Sequence, residues 1–303
     1  MELQPEKRVV QGQTLSPGRS ILWVDDQGVI RRRQIELDGL GTLVLERGTP
    51  GQGAPVATAV DIGARSLIPL DRTIFRPYQT QAVGYRFTVR EEDDPASLVV
   101  NDDHQEVKNV SGGRFDLLVH PVRNAATGGA ASPTPGPEYL SSSFFLDHDK
   151  PQIKELAQRI LSEETDPWNR ARKIERWVKN NLRNDNSAPL VPASQIATGL
   201  KGDCRHHSFL TAALARSVGI PSRTAIGLLY VNRGGPRLGF HMWTEVFIDG
   251  KWLGLDSTLG QGGVSACHIK VTQHHWMDVA SLTPLLPVQR ILGKVRVEVL
   301  RDS

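Results

Sequence analysis

The stretch "GDCRHHSFLTAALARSVGIPSR", Gly202 to Arg223, decides how the second half of the chain is read. It holds one of only two cysteines in 303 residues, with two histidines close behind it. Leu210, Ala213, Leu214 and Val218 recur at helical spacing and define a core-facing stripe. Asp203 is suited to cap the helix N-terminus, Gly219 to follow its end, and Pro221 to prevent continuation. The pattern therefore predicts a helix whose first turn contains Cys204. There the positive end of the helix dipole favours a thiolate. A cysteine so placed can be a nucleophile, a metal ligand or a buried filler, and the flanking sequence has to choose.

Downstream the pattern turns to strands. "RTAIGLLYV" predicts a strand, "NRGGPRLG" a loop, "FHMWTEVFI" a strand, Asp249-Gly250 a tight turn and "KWLGLD" the returning strand. Asp-Gly between two apolar runs is a strong hairpin signal. If it forms a two-residue loop, Ile248 pairs with Lys251 and Trp243 falls opposite Asp256. His241, two residues from Trp243, then shares its face and lies diagonal to Asp256, so imidazole and carboxylate can meet. A one-residue slip would separate them. Cys204, His241 and Asp256 thus supply a nucleophile, an acid/base and an orienting carboxylate.

Upstream, residues 1–17 read as a loose polar tail. Residues 18–123 read as an all-β domain of unknown role, with strands "ILWVDD", "VIRRRQIEL", "TLVLERG", "AVGYRFTVRE", "SLVV" and "RFDLLVHPV" separated by turn residues. His104 and His120 are isolated there and are expected to be structural. The Gly/Pro/Ala-rich segment 124–138 reads as a linker. Residues 139–303 form the second domain, opening with helices in "DKPQIKELAQRILSE" and "TDPWNRARKIERWVKNNL". Asp166 caps the latter, and Ala171, Ile174, Trp177, Val178 and Leu182 line its core face.

Taken together, the Cys segment, Ala215-Arg216, Gly219-Ile220-Pro221, Arg223, His241, Trp243, Glu245, Trp252 and Asp256 resemble the bacterial transglutaminase-like superfamily. The resemblance covers roughly the last half of the chain. It implies an α+β, papain-like transglutaminase core, helices packed on an antiparallel sheet, preceded here by the all-β domain. It also implies cysteine-dependent acyl transfer on amide bonds through Cys204, His241 and Asp256. Hydrolysis by a protease or amidase leads, with a transglutaminase using an amine acceptor, or a non-catalytic partner-binding scaffold, as alternatives. Serine and threonine follow Asp256 where proline is common in the wider superfamily, and Cys267 has no role in the pattern. Of the supporting residues, His207 lies one turn below Cys204, Trp243 shares the His241 face, and Gln195 lies upstream as a candidate oxyanion donor. His206 is expected to be exposed.

The remaining classes receive little support. Eight cysteine and histidine side chains lie between residues 204 and 275, yet no Cys-x-x-Cys or His-Glu-x-x-His spacing occurs, so neither metal nor cofactor is expected. The net charge of +3 is dispersed, and Arg31-Arg32-Arg33 reads as a solvated strand face, so nucleic acid is not an expected partner. The expected partner is a protein, a peptide or cell-wall peptide. No window is apolar enough for membrane insertion, and the first thirty residues hold no apolar signal region. The chain as read is expected in the cytoplasm, or in the periplasm or cell envelope if it is a processed form.

Overall fold

The computed structural model describes residues 19–37, 41–47, 67–90, 94–123, 132–232, 234–277 and 283–302, together with short strands at 2–3, 8–10 and 13–15. The order is β1 (Glu2–Leu3), β2 (Arg8–Val10), β3 (Gln13–Leu15), β4 (Ser20–Val24), β5 (Ile30–Leu37), β6 (Gly41–Glu46), β7 (Ile68–Pro69), β8 (Val83–Val89), β9 (Gln105–Ser111) and β10 (Arg114–Val119). Helices α1 (Pro151–Leu161) and α2 (Pro167–Asn181) follow, then β11 (Arg183–Asn184), α3 (Ala193–Gly199), β12 (Lys201–Gly202) and α4 (Cys204–Ser217). The chain ends with β13 (Ser222–Asn232), β14 (Pro236–Ile248), β15 (Lys251–Leu255), β16 (His268–His274), α5 (Leu286–Gln289) and β17 (Val295–Asp302). This is the expected α+β arrangement, with strands first and helices packed on an antiparallel sheet afterwards.

The principal sheet has the order β15-β14-β13-β16, with β7 paired to β14. The Asp249-Gly250 turn has positive φ at both residues, +51° and +76°, as a type I′ hairpin requires. Ile248 pairs with Lys251 and Thr244 with Leu255, which is the register read from the sequence. The preceding turn is tighter than "NRGGPRLG" suggested. Pairing of β13 with β14 persists to Asn232–Pro236, because a proline at the first position of a strand forfeits no essential bond there.

Helix α4 packs on β13 and β14 and is buried on every side from Arg205 to Arg216. Its polar residues are accommodated by local partners. Ser208 Oγ donates to the Cys204 carbonyl (2.8 Å), and the Arg216 guanidinium donates to the carbonyls of Ser141, Ser222 and His275. The end is closed by Gly219 N–H to the Arg216 carbonyl and Ile220 N–H to that of Ala215, with Ile220 and Ala215 in one apolar cluster. Asp166 caps α2 by accepting from Asn169 N–H at 2.8 Å, and Ala171, Ile174, Val178 and Leu182 are buried as its pattern requires.

Two readings are corrected. "SLVV" is not a strand: residues Pro95–Leu98 form a 3₁₀ turn. The strand beside β10 is instead β9, "QEVKNVS", an exposed edge whose polar sequence carries no burial signal. Segment 1–17, read as a loose tail, contains three short strands, β1 pairing with β4 and β2 with β3; its other residues lie outside those described. Of the linker 124–138, residues 132–136 carry no regular structure, Pro137–Tyr139 form a 3₁₀ turn, and 124–131 lie outside the described residues.

The boundary between 18–123 and 139–303 is crossed by strand pairing. The C-terminal β17 pairs with β8, giving a β17-β8-β10-β9 sheet, and β7 pairs with β14. One apolar core joins Val83, Tyr85, Phe87 and Phe115 of that sheet to Ile153, Leu210, Leu214 and Ile226 around α4. The two halves share a core rather than abutting, because β17 extends the β8 sheet at its edge and the buried apolar residues of β8 and β10 join the core of the second half.

Candidate active site

Cys204 is the first residue of α4, a free, half-buried thiol. Asp203 holds the turn by accepting from Arg205 N–H (2.9 Å) and by pairing with the Arg205 guanidinium (2.8 Å). His206 completes a capping box, its Nδ1 accepting from Asp203 N–H (3.1 Å) while Nε2–H donates to the Pro189 carbonyl (2.9 Å). It is buried rather than exposed, because capping drew it inward. His207 donates Nδ1–H to the Asp203 carbonyl (2.9 Å), pinning the same turn. Burial lowers its pKa and keeps it neutral.

His241 lies on β14 with Nε2 at 2.8 Å from Asp256 Oδ2, and the Cys204 thiol is near enough to act on its pKa. Burial pulls the His241 pKa down, but the charge and hydrogen bond of Asp256, helped by Cys204, raise it to about 10. Burial would raise Asp256, yet His241 and His268 hold it well below the usual carboxylate range. Asp256 Oδ1 accepts from the N–H groups of Thr258 (2.8 Å) and Leu259 (3.3 Å), so the turn after the acid anchors its carboxylate. The structure thus brings His241 and Asp256 together, as the hairpin register predicted, with Cys204 near enough to act on the His241 pKa.

Trp243 is fully buried and stacks on the His241 ring at 6.3 Å, forming one wall of the group. Gln195 is exposed on α3. Glu245 is committed elsewhere, to Arg223 (2.6 Å) and Lys270 (2.6 Å). With His104 and Trp252 these residues line a cavity of about 440 Å³ that contains none of Cys204, His241 or Asp256. Cys267 is a core residue, its thiol pushed up to about 12 by burial. His120 is exposed, whereas His104 is buried with Nε2 on the His268 carbonyl (2.8 Å).

The sequence did not reveal His268 as a partner of Asp256. Its Nε2 lies 3.1 Å from Asp256 Oδ2, the oxygen that also receives His241. Pairing with β13 places it there, opposite Leu229. A Cβ on Gly227 would come within 1.9 Å of the Ile269 carbonyl oxygen, so only glycine lets β16 approach. The ligand atoms of His241, Asp256 and His268 lie within 4.8 Å of one another, a spacing a metal could use. However, His268 Nδ1 accepts the backbone N–H of Ser265 (3.1 Å), and a backbone N–H can only donate. The neutral ring must therefore carry its proton on Nε2, which leaves no lone pair there for a metal.

Residues 154–257 match the family model described as the transglutaminase-like superfamily. An uncharacterized protein of Haemophilus influenzae is 34% identical over 96 residues, 30% of this chain and 26% of that protein, so the match spans about a quarter of the relative's length. Among solved structures, a candidate cysteine protease from Cytophaga hutchinsonii aligns over 78% of this chain and 86% of its own, at 15% identity and a TM-score of 0.47. The periplasmic domain of TgpA from Pseudomonas aeruginosa aligns over 70% and 87%, at 12% identity and a TM-score of 0.41. The segment that matches the transglutaminase-like superfamily model opens within α1 and closes one residue after Asp256, so it encloses Cys204, His241 and Asp256.

Proposed function

We propose that the protein is a cysteine-dependent acyl-transfer enzyme that hydrolyses amide bonds in proteins or peptides. One observation carries the reading: a half-buried thiol at the start of a buried helix stands beside an imidazole whose far nitrogen is fixed by a buried carboxylate. In this reaction the Cys204 thiolate attacks the carbonyl carbon, and the C=O electron pair moves to oxygen. When the tetrahedral intermediate collapses, the C–N bond breaks and the His241 imidazolium protonates the departing amine. The neutral imidazole then takes a proton from water as the water attacks the thioester, and the thiolate leaves. The backbone N–H of Cys204, in the first turn where no helical carbonyl can reach it, offers one oxyanion donor. Asp256 keeps the His241 proton on Nε2 and steadies the imidazolium.

The test is incubation with a diverse peptide library and a labelled primary amine, read by mass spectrometry, with Cys204→Ser as control. Cleaved peptides dependent on Cys204 support hydrolysis. Amine-labelled glutamine side chains would replace it with transamidation. No Cys204-dependent product of either kind would refute the enzymatic reading in favour of a scaffold.

A further inference from the structure

We propose that His268 is a positioning residue for Asp256, a neutral donor that shares the oxygen receiving His241 and so limits how tightly Asp256 holds the His241 proton. The proposal rests on the reading of Cys204, His241 and Asp256 given above. Three observations support it. First, the tautomer is fixed: Ser265 N–H donates to His268 Nδ1, so Nε2 bears the proton that points at Asp256. Second, both imidazoles converge on Oδ2, at 2.8 and 3.1 Å, whereas Oδ1 is occupied by the amides of Thr258 and Leu259. Charge drawn from Oδ2 by one donor is unavailable to the other. Third, His268 is completely buried, its ring edge-on to Trp243 at 5.3 Å and its carbonyl accepting from His104, so it cannot swing away.

The remaining titratable groups do not substitute for it. Glu175 on α2 accepts the N–H of Gly262. His207 on α4 and Tyr78 feel the Asp256 charge without a hydrogen bond to it. Only His241 and His268 donate side-chain protons to this carboxylate among the described residues.

Removing the His268 donor should concentrate charge on Asp256, which the Thr258 and Leu259 amides still anchor. His241 then keeps its proton to higher pH and surrenders it less readily to a leaving group. This sign is opposite to that expected when Asp256 is itself displaced or neutralised.

The experiment measures the rate of Cys204 alkylation by iodoacetamide against pH in the full chain, needing no substrate. The upper step of that profile marks His241 losing its proton. For His268→Leu we expect this step to rise by about half to one pH unit, the scale of one weakened charge-assisted hydrogen bond. His268→Gln, whose amide can donate to Asp256, should stay near wild type. Asp256→Asn should lower the step. A fall or no shift in His268→Leu, or a Gln variant that behaves like Leu, overturns the proposal. Nitrogen-15 NMR of the wild-type histidines decides even if the leucine variant fails to fold: His268 protonated on Nε2 alone supports it, and protonation on Nδ1 overturns it. If wild type acts on no peptide yet the step rises in His268→Leu, the functional reading falls and the role of His268 stands.

Discussion

Replacing Glu245 by glutamine removes one charge from a cluster of four, of which Glu245, Arg223 and Lys270 are buried and Asp102 is exposed. Glu245 bonds Arg223 Nε and Lys270 Nζ, each at 2.6 Å, and Lys270 also pairs with Asp102. Lys270 is only 1% exposed, and the Arg223 guanidinium lies over the Trp252 ring at 4.0 Å, so neither cation can reach water easily. Burial would raise the Glu245 carboxyl, but Arg223 and Lys270 outweigh it and take it from 4.5 to about 2. A carboxyl lowered that far on folding stabilises the native state by roughly 3 kcal/mol at neutral pH. Breaking a buried pair and stranding its partner costs a similar ~3–5 kcal/mol. Glutamine keeps the shape and retains Asp102 for Lys270, so the lower figure applies. For a chain of this size that corresponds to a fall in Tm of about 5 °C. Because the folded carboxyl is the more acidic, the contribution is complete above pH 4.5 and fades as pH falls toward 2. Urea denaturation of wild type and Glu245→Gln, from pH 7 down to pH 3, is the assay. The gap between the two should be about 3 kcal/mol at pH 7 and close steadily below pH 4.5. A gap under ~1 kcal/mol at neutral pH, or one independent of pH, would refute the reasoning.

Brief iodoacetamide labelling and peptide mapping near neutral pH should modify Cys204 well before Cys267, whose thiol is buried and pushed up to about 12; equal rates would count against Cys204 as the nucleophile. Asp256→Asn should keep the fold and lower turnover by about ten- to a thousand-fold. Since Asp256 is what raises His241 to about 10, its loss should bring the alkaline limb of the rate profile down toward neutral pH, and wild-type turnover with an unmoved limb would remove Asp256 from the mechanism. A fragment beginning at residue 139 strands β17 without β8 and opens the shared core, so it should be insoluble or molten; sharp proton NMR dispersion and a cooperative melt would show that the second half folds alone.

Much of the site was legible in the chain because it rests on local rules. A cap, a helical stripe and the residues after it placed Cys204 at the start of α4. An Asp-Gly turn and the two-residue period of a strand placed His241 diagonal to Asp256, and the hairpin has that register. These signals lie within one helix or one hairpin, where spacing dictates geometry. His206 and His268 escaped for opposite reasons. His206 was turned inward by a capping box formed with its own neighbours, which periodicity alone does not show. His268 meets Asp256 only because β16 pairs with β13 and sets it opposite Leu229, a pairing between distant segments. The same distinction governs the fold. Composition and strand spacing marked an all-β beginning and an α+β end, with a Gly/Pro-rich segment between them. That β17 returns to β8, and that one core runs through both halves, depended on which apolar faces remained uncovered once every element had formed. The sequence by itself determined each element and the pairings within a hairpin; the closing of distant strands and the second histidine on Asp256 were decided by tertiary packing, because burial is a property of the assembled chain.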